Sequence, residues 1–345
     1  MDELTERQKL ILALVVHEYA RTTMPVGSQS LVEGYHLDMS SATVRNELAY
    51  LTELGYLRQP HTSAGRIPTE EGYRYFVGKL LQDTLLPEPM RKTITHQFHQ
   101  MSDDVEQWMR LAASVLAHQS RAASVVTAPH PERSLIKHIE LISTRGTQVL
   151  MVMVLMGGEI QQRFFTLSEP ISQENLSGFA TRLTNRFQGK DVAAIEERIA
   201  EYTGVESEIL EQVIAEMRQS NNLVAGAVYL DGISNVLSEP DFSSPEEAQR
   251  AIRVIQERSR LEELLARTVL IGPNASGVHV LIGGEGTYEE LRKCSLILAR
   301  YGSPDIATGT LGVLGPMRMS YGRAISTIRF LSGLLSDLVA ETLVE

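Results

Sequence analysis

The sequence predicts an α+β chain of more than one domain. Its 345 residues exceed what a single hydrophobic core usually organises. The first eighty residues show helical periodicities that end in a two-strand hairpin. The remainder mixes strand and helix patterns without strict βαβ repetition, which favours a mixed or antiparallel sheet. The composition, 43% hydrophobic and 22% charged, is that of a folded chain rather than a disordered one.

Thr5 and Gln8 have the spacing of a capping box, in which each side chain accepts the other residue's backbone N–H. Leu10, Ile11, Leu14 and Val15 then predict a helix to about Arg21, which Met24-Pro25-Val26-Gly27 breaks. Ser28 is expected to cap a short helix, Gln29 to about Glu33, burying Leu31 and Val32, and Gly34–Asp38 turns the chain. Ser40 or Ser41 caps a third helix to about Leu54, with Gly55 just past its end.

In this third helix Val44, Leu48 and Leu51 form the buried stripe. Ala42, Asn46, Ala49 and Glu53 point the opposite way, flanked by Thr43 and Arg45, with Ser41 at the start. Such a surface suits a helix entering the major groove. Small residues allow close approach, the helix start favours phosphate, Asn reads adenine, and Arg reads guanine or holds phosphate. Two strands, about 56–59 and 65–67, follow around a Thr-Ser-Ala-Gly turn. They present Arg58, His61, Thr62, Ser63 and Arg66, and no acid lies between Leu54 and Pro68. Thr69 caps another helix, with Tyr73, Phe76 and Val77 on one face. Helix, helix, helix, hairpin is the order of a winged helix-turn-helix.

Charge leaves two readings of this head open. The whole chain is −11, which points away from nucleic acid, and residues 1–80 contribute only −2 of it. The polar helix face and acid-free hairpin favour double-stranded DNA; the slight negative charge favours a protein-interaction module.

Leu85–Pro89 reads as a linker. A helical pattern from Met90 to about Ala123 gathers Val105, Trp108, Met109, Ala112, Val115 and Leu116 on one side. Three strands are expected at Ser134–Ser143, Gln148–Met156 and Glu159–Leu167, then helices at about 172–187, 191–202 and 206–220. A hairpin is expected to turn on Asp231-Gly232, joining 222–230 to 232–236, and Pro245–Leu265 to be helical. Val278–Ile282, Ser295–Tyr301 and Gly309–Leu314 read as strands, Tyr288–Lys293 as a short helix, and Ser320–Leu343 as a long terminal helix burying Ile325, Ile328, Leu331, Leu334, Leu335 and Leu338.

Catalytic chemistry finds little support. Gly283–Gly286 reads as a tight turn, with a phosphate or ligand loop as the weaker alternative, because Walker and dinucleotide spacings are both incomplete. His96 and His99, near Asp103 and Asp104, read as a solvated helix face rather than a metal site. Cys294 sits in an apolar context and reads as a buried hydrophobe; Trp108 and the Met-rich strand 151–156 read as core. A single cysteine excludes an intrachain disulfide. No enzyme activity and no cofactor are expected. The charged MDELTERQK start predicts no secretory leader, and the longest apolar run, Val149–Met156, is too short to span a bilayer, so no membrane partner and a cytoplasmic location are expected.

The segments Ser40–Leu48, Leu54–Leu57, Pro60–Thr69 and Leu311–Tyr321 resemble the HrcA heat-inducible transcription repressors, and the resemblance extends over nearly the whole chain. It implies a winged helix-turn-helix over 1–85, a GAF-like domain from 90–170 and 237–345, and a dimerising domain inserted at 171–236. It implies a homodimer that binds an inverted-repeat operator upstream of chaperone operons and silences them at normal temperature. It also implies the chaperonin as modulator, with repression relieved when unfolded protein occupies the chaperonin. The alternatives from other classes are a small-ligand-responsive GAF-like sensor of other operons and a protein-interaction module.

Overall fold

Helix α1 (Glu6–Thr22) starts on the expected capping box: the Thr5 N–H donates to Gln8 Oε1 at 3.0 Å and the Gln8 N–H to Thr5 Oγ1 at 3.3 Å. The computed structural model describes residues 4–81, 85–101, 104–130, 134–156, 160–221, 227–240, 245–257, 260–261, 263–264, 277–283, 288–303 and 306–342. Ile11, Leu12, Val15 and Val16 form the buried stripe of α1, while Leu10 is exposed. Helix α2 (Ser28–Tyr35) is entered from Gly27, not capped by Ser28, which is buried in its first turn. Tertiary pairing explains the shift. Val26 and Arg66 exchange backbone N–H···O bonds of 2.8 Å, which fixes the chain just before α2.

Helix α3 (Ser41–Glu53) is capped by Ser40, whose Oγ accepts the Thr43 N–H at 3.1 Å, and it buries Val44, Leu48 and Leu51 as expected. Strands β1 (Leu57–Arg58) and β2 (Ile67–Pro68) pair antiparallel, Leu57 opposite Pro68 and Arg58 opposite Ile67. Both are shorter than their sequence patterns, since Pro68 has no N–H to extend the ladder. Helix α4 (Glu70–Tyr75) is capped by Thr69 and continues as a π-helical turn over Phe76–Leu80.

The expected helical stretch 90–123 is instead two helices, α5 (Glu88–His99) and α6 (Val105–Ser120), followed by strand β3 (Ala123–Thr127). Asp104 makes the break by capping α6, accepting the Glu106 N–H at 2.9 Å. All five residues of β3 are buried, so it carries no polar–apolar alternation that would have marked it as a strand.

The meander β4 (Ile136–Arg145), β5 (Gln148–Leu155), β6 (Ile160–Thr166) matches expectation. Helices α7 (Gln173–Phe187), α8 (Val192–Glu196) and α9 (Val205–Asn221) follow. The hairpin expected at 222–236 is not one. β7 (Val228–Asp231) pairs with β3, and Gly232, at φ +69°, leads into helix α10 (Ile233–Leu237). A Cβ at Gly232 would overlap the Ala122 carbonyl oxygen, so the turn packs on the chain at the start of β3. Residues 222–226 lie outside the described residues.

Then come α11 (Pro245–Gln256), β8 (Val278–Ile282), a 3-10 turn at Glu289–Leu291 where a short helix was expected, β9 (Cys294–Ser303), β10 (Ala307–Pro316) and α12 (Tyr321–Thr342).

The chain divides into two compact units. One comprises Met1–Thr127, Val228–Arg300 and Thr310–Leu334; the other Ala128–Ala227, Tyr301–Gly309 and Leu335–Glu345. The first holds a five-stranded sheet of order β7-β3-β10-β9-β8, antiparallel at each recorded register. Tyr321 anchors α12 there: its hydroxyl donates to the Met317 carbonyl at 2.7 Å and lies 2.6 Å from Ser295 Oγ. Burial pushes this phenol far above its ordinary range, so it stays a neutral donor.

In the second unit the inner face of the β4–β5–β6 sheet (Ile139, Leu141, Val149, Met151, Met153) shares one core with Leu176, Phe179 and Leu183 of α7 and Ile209, Val213 and Met217 of α9. The strands before residue 171 therefore pack with the helices after it. Among the described residues no helix is long and apolar enough to cross a membrane.

Candidate nucleic-acid interface

The outer side of α3 is built by what its inner side is tied to. Glu47 turns toward α1, where it meets Arg7 at 3.5 Å and accepts a hydrogen bond from Gln8 Nε2 at 3.1 Å. Ala42, Arg45 and Asn46 are exposed, and Ser41, Thr43 and Ala49 are half-buried on the flanks. Thr43 Oγ1 lies 2.9 Å from Ser40 Oγ, so its hydroxyl is shared with the cap. The N-terminal half of the outer face thus carries no carboxylate. A nearby acid on α1 is also committed. Glu18 binds Arg21 at 2.7 Å and accepts from the Tyr35 hydroxyl at 3.0 Å, and the Arg21 bond holds its carboxyl below the usual range.

The hairpin tip presents His61, Thr62 and Ser63 to solvent. The Ala64 N–H donates to the His61 carbonyl at 2.8 Å to close the turn. Gly65 then passes so close to the Val26 carbonyl that a Cβ there would overlap backbone. Arg66 is half-buried rather than projecting freely. Its Nε donates to Thr52 Oγ1 at 2.9 Å, and that hydroxyl donates onward to the Leu48 carbonyl at 2.7 Å. This chain braces the hairpin against the C-terminal half of α3 and leaves the terminal guanidinium nitrogens for an outside acceptor. Arg58 is exposed on β1 at the base of the hairpin, where it lines a cleft instead of the tip.

Sequence reasoning missed two residues. Gln59 donates its amide to the carbonyls of Thr62 and Ala64, at 2.9 Å each, and so holds the tip from inside. Its signal was an amide just before a tight turn. Tyr50, 40% exposed, stands one turn after Asn46 on the same side of α3. A wheel drawn at 100° per residue shows it 40° from Asn46.

The other candidates resolve as follows. Cys294, Trp108, Met151 and Met153 are buried, as read from the sequence, whereas Met156 is exposed. His96 and His99 are exposed on α5, Asp104 caps α6, and Asp103 lies outside the described residues. Gly283 takes φ +66°; residues 284–286 of the glycine turn lie outside the described residues. Among the described residues no group of metal-ligating side chains is assembled.

The N-terminal half of the outer face of α3 is polar and without carboxylates, Glu53 is exposed at the far end of the helix, and the braced hairpin stands beside it. A family model for the HrcA protein C terminal domain matches residues 106–325. The heat-inducible transcription repressor HrcA of Roseiflexus castenholzii is 44% identical over 347 residues, covering 98% of this chain and 95% of the relative. The chain belongs to the HrcA family. The HrcA repressors of Thermomicrobium roseum and Chloroflexus aurantiacus are 40% and 39% identical, each over 98% of this chain and covering 96% and 94% of those relatives. Among solved structures, the crystal structure of a hypothetical protein covers 99% of this chain and 100% of that chain at a TM-score of 0.63 and 22% identity, a likeness of fold. The HrcA match therefore includes the α3 and hairpin segments, which lie ahead of the stretch matched by the C-terminal family model.

Proposed function

We propose that this HrcA-family chain is a heat-inducible transcription repressor whose residues 1–85 form a winged helix-turn-helix. Helix α3 enters the major groove of an operator, and the hairpin is the wing. The observation that carries the reading is the outer face of α3: Ala42, Arg45 and Asn46 exposed together, with no carboxylate in that half of the helix. Arg45 and Asn46 contact base edges. Ser41, Thr43 and the terminal nitrogens of Arg66 contact backbone, and His61, Thr62 and Ser63 approach the flanking groove. The operator is an inverted repeat upstream of chaperone operons, silenced at normal temperature, with the chaperonin as modulator.

A single head of this size binds weakly, so two joined by symmetry are needed to read two half-sites. The outer face of the β4–β5–β6 sheet supports a second copy as partner. Ile142, Leu150 and Phe164 lie side by side in register, the Val154–Ile160 pair lies on the same face beyond the Glu140–Val152–Gln162 row, and Phe164 and Ile160 are each 61% exposed. We place this sheet with α7–α9 in the inserted dimerising domain, since they share a core, and assign the five-stranded sheet to the GAF-like body.

Footprinting on the organism's own genomic DNA tests the reading. The expected result is protection of two half-sites related by inverted symmetry. Absence of any protected site for the purified full chain at low salt overturns it. Phe164→Asp should shift the full chain from dimer to monomer in analytical ultracentrifugation, with weaker operator binding; an unchanged dimer removes this sheet face from the interface.

A further inference from the structure

A cleft of about 870 Å³ lies within the first unit, between the base of the hairpin and the body that carries the five-stranded sheet. Its walls include Arg58 of β1, Arg250 of α11 and Arg292, beside the 3-10 turn. Five glutamates also line it, yet none is hydrogen-bonded to these arginines among the described residues. Glu247 binds Lys293 at 2.8 Å, Glu290 binds Arg260 at 2.7 Å, and Glu70 and Glu71 both bind Arg74, at 3.4 and 2.5 Å. Four of the five carboxylates are thus already committed to other cations, and Glu289 is the fifth.

Arginines elsewhere are of both kinds, and exposed Arg45, Arg121 and Arg145 likewise have no ion pair among the described residues. Arg21, Arg110, Arg182, Arg186 and Arg218 all sit in ion pairs. No hydrogen bond or close ion pair joins Arg58, Arg250 or Arg292 to protein among the described residues; Arg250 stands near enough to Glu290 to help hold that carboxyl below its usual range. Three arginines from three separate segments therefore line one space with no hydrogen-bond partner in the protein among the described residues. A guanidinium matches a phosphate oxygen pair in geometry and charge, and several such forks suit an anion bearing more than one phosphoryl group.

We propose that this cleft binds phosphate groups, held by Arg58, Arg250 and Arg292. Two sources share that chemistry: a free phosphorylated small molecule and the sugar–phosphate backbone of bound DNA. Because Arg58 sits on a hairpin strand and Arg250 and Arg292 on the body, a bound phosphate bridges the two and fixes the attitude of the hairpin.

The test uses the full-length protein and an R250A/R292A double variant, with unchanged thermal unfolding of the unliganded variant as the control for folding. Inorganic pyrophosphate is titrated calorimetrically at constant ionic strength, without DNA, so this arm does not depend on the repressor reading. Saturable binding that weakens at least tenfold in the variant supports the proposal with a free ligand as source. Suppose wild type does not bind pyrophosphate, but the variant's operator affinity falls with a salt slope shallower by about two. The DNA backbone is then the source. Equal pyrophosphate binding by both proteins, or no change in either arm, overturns the proposal.

Discussion

Truncating Gln59 to alanine is the sharpest probe of the proposed wing. The side chain contacts no outside partner through its amide nitrogen; that nitrogen donates to the Thr62 and Ala64 carbonyls, 2.9 Å each. An intramolecular hydrogen bond of this kind contributes about 0.5–1.5 kcal/mol net, and exposure of the tip favours the lower half of that range. Losing two gives about 1–2 kcal/mol, all of it local order of residues 61–64. If the tip must adopt this shape to touch DNA, that energy is withdrawn from binding, and operator affinity should fall about 5- to 30-fold. Fluorescence anisotropy with a labelled operator duplex, at fixed salt, measures it. The slope of log affinity against log salt should not change, because no charge is removed. Gln59→Glu, which keeps the size and loses the donors, should fall at least as far. An affinity within twofold of wild type for both variants would refute the idea that a preset tip contributes to recognition.

Other expectations follow from the same geometry. Asn46→Ala should cost about 1–3 kcal/mol on the cognate operator and much less on unrelated duplex, as seen by competition gel shift; Tyr50→Ala, one turn further on, should weaken both alike if its ring meets backbone. Glu216→Ala should destabilise the second unit by about 2–3 kcal/mol in urea unfolding. It strands Arg163, whose bond to Glu216 is 2.9 Å, and it falls below the usual range for a buried pair because Arg163 is 36% exposed. Gly65→Ala should lower the melting temperature and abolish operator binding together, since its Cβ would displace the Val26 backbone from its bridge with Arg66.

Much of the N-terminal head was legible from local rules. The Thr5/Gln8 box, the Ser40 cap and the Val44, Leu48, Leu51 stripe are all satisfied within one turn or one helix face, so sequence spacing carries them. The candidate interface residues were legible in kind but not in surroundings. The sequence presents Arg66 and Arg58 on the hairpin, but Arg66 is half spent bracing Thr52 and Arg58 lines a cleft. Neither partner is close in sequence, so no periodicity reports it.

In the body the limits were physical as well. β3 is buried along its whole length and so resembled the end of a helix, and its partner β7 was assigned to a hairpin with its own neighbour. Strand pairing between distant segments is settled by which apolar surfaces can be covered together. That the β4–β6 sheet belongs with α7–α9 became visible only through their common core.

By itself the sequence determined the α+β class, the order helix, helix, helix, hairpin, and the polar face of α3, because each depends on contacts within a few residues. Tertiary structure decided where Gly27 starts α2, which groups hold the hairpin tip, and which arginines line the cleft. Those outcomes depend on hydrogen bonds and ion pairs between segments that only the folded chain brings into reach.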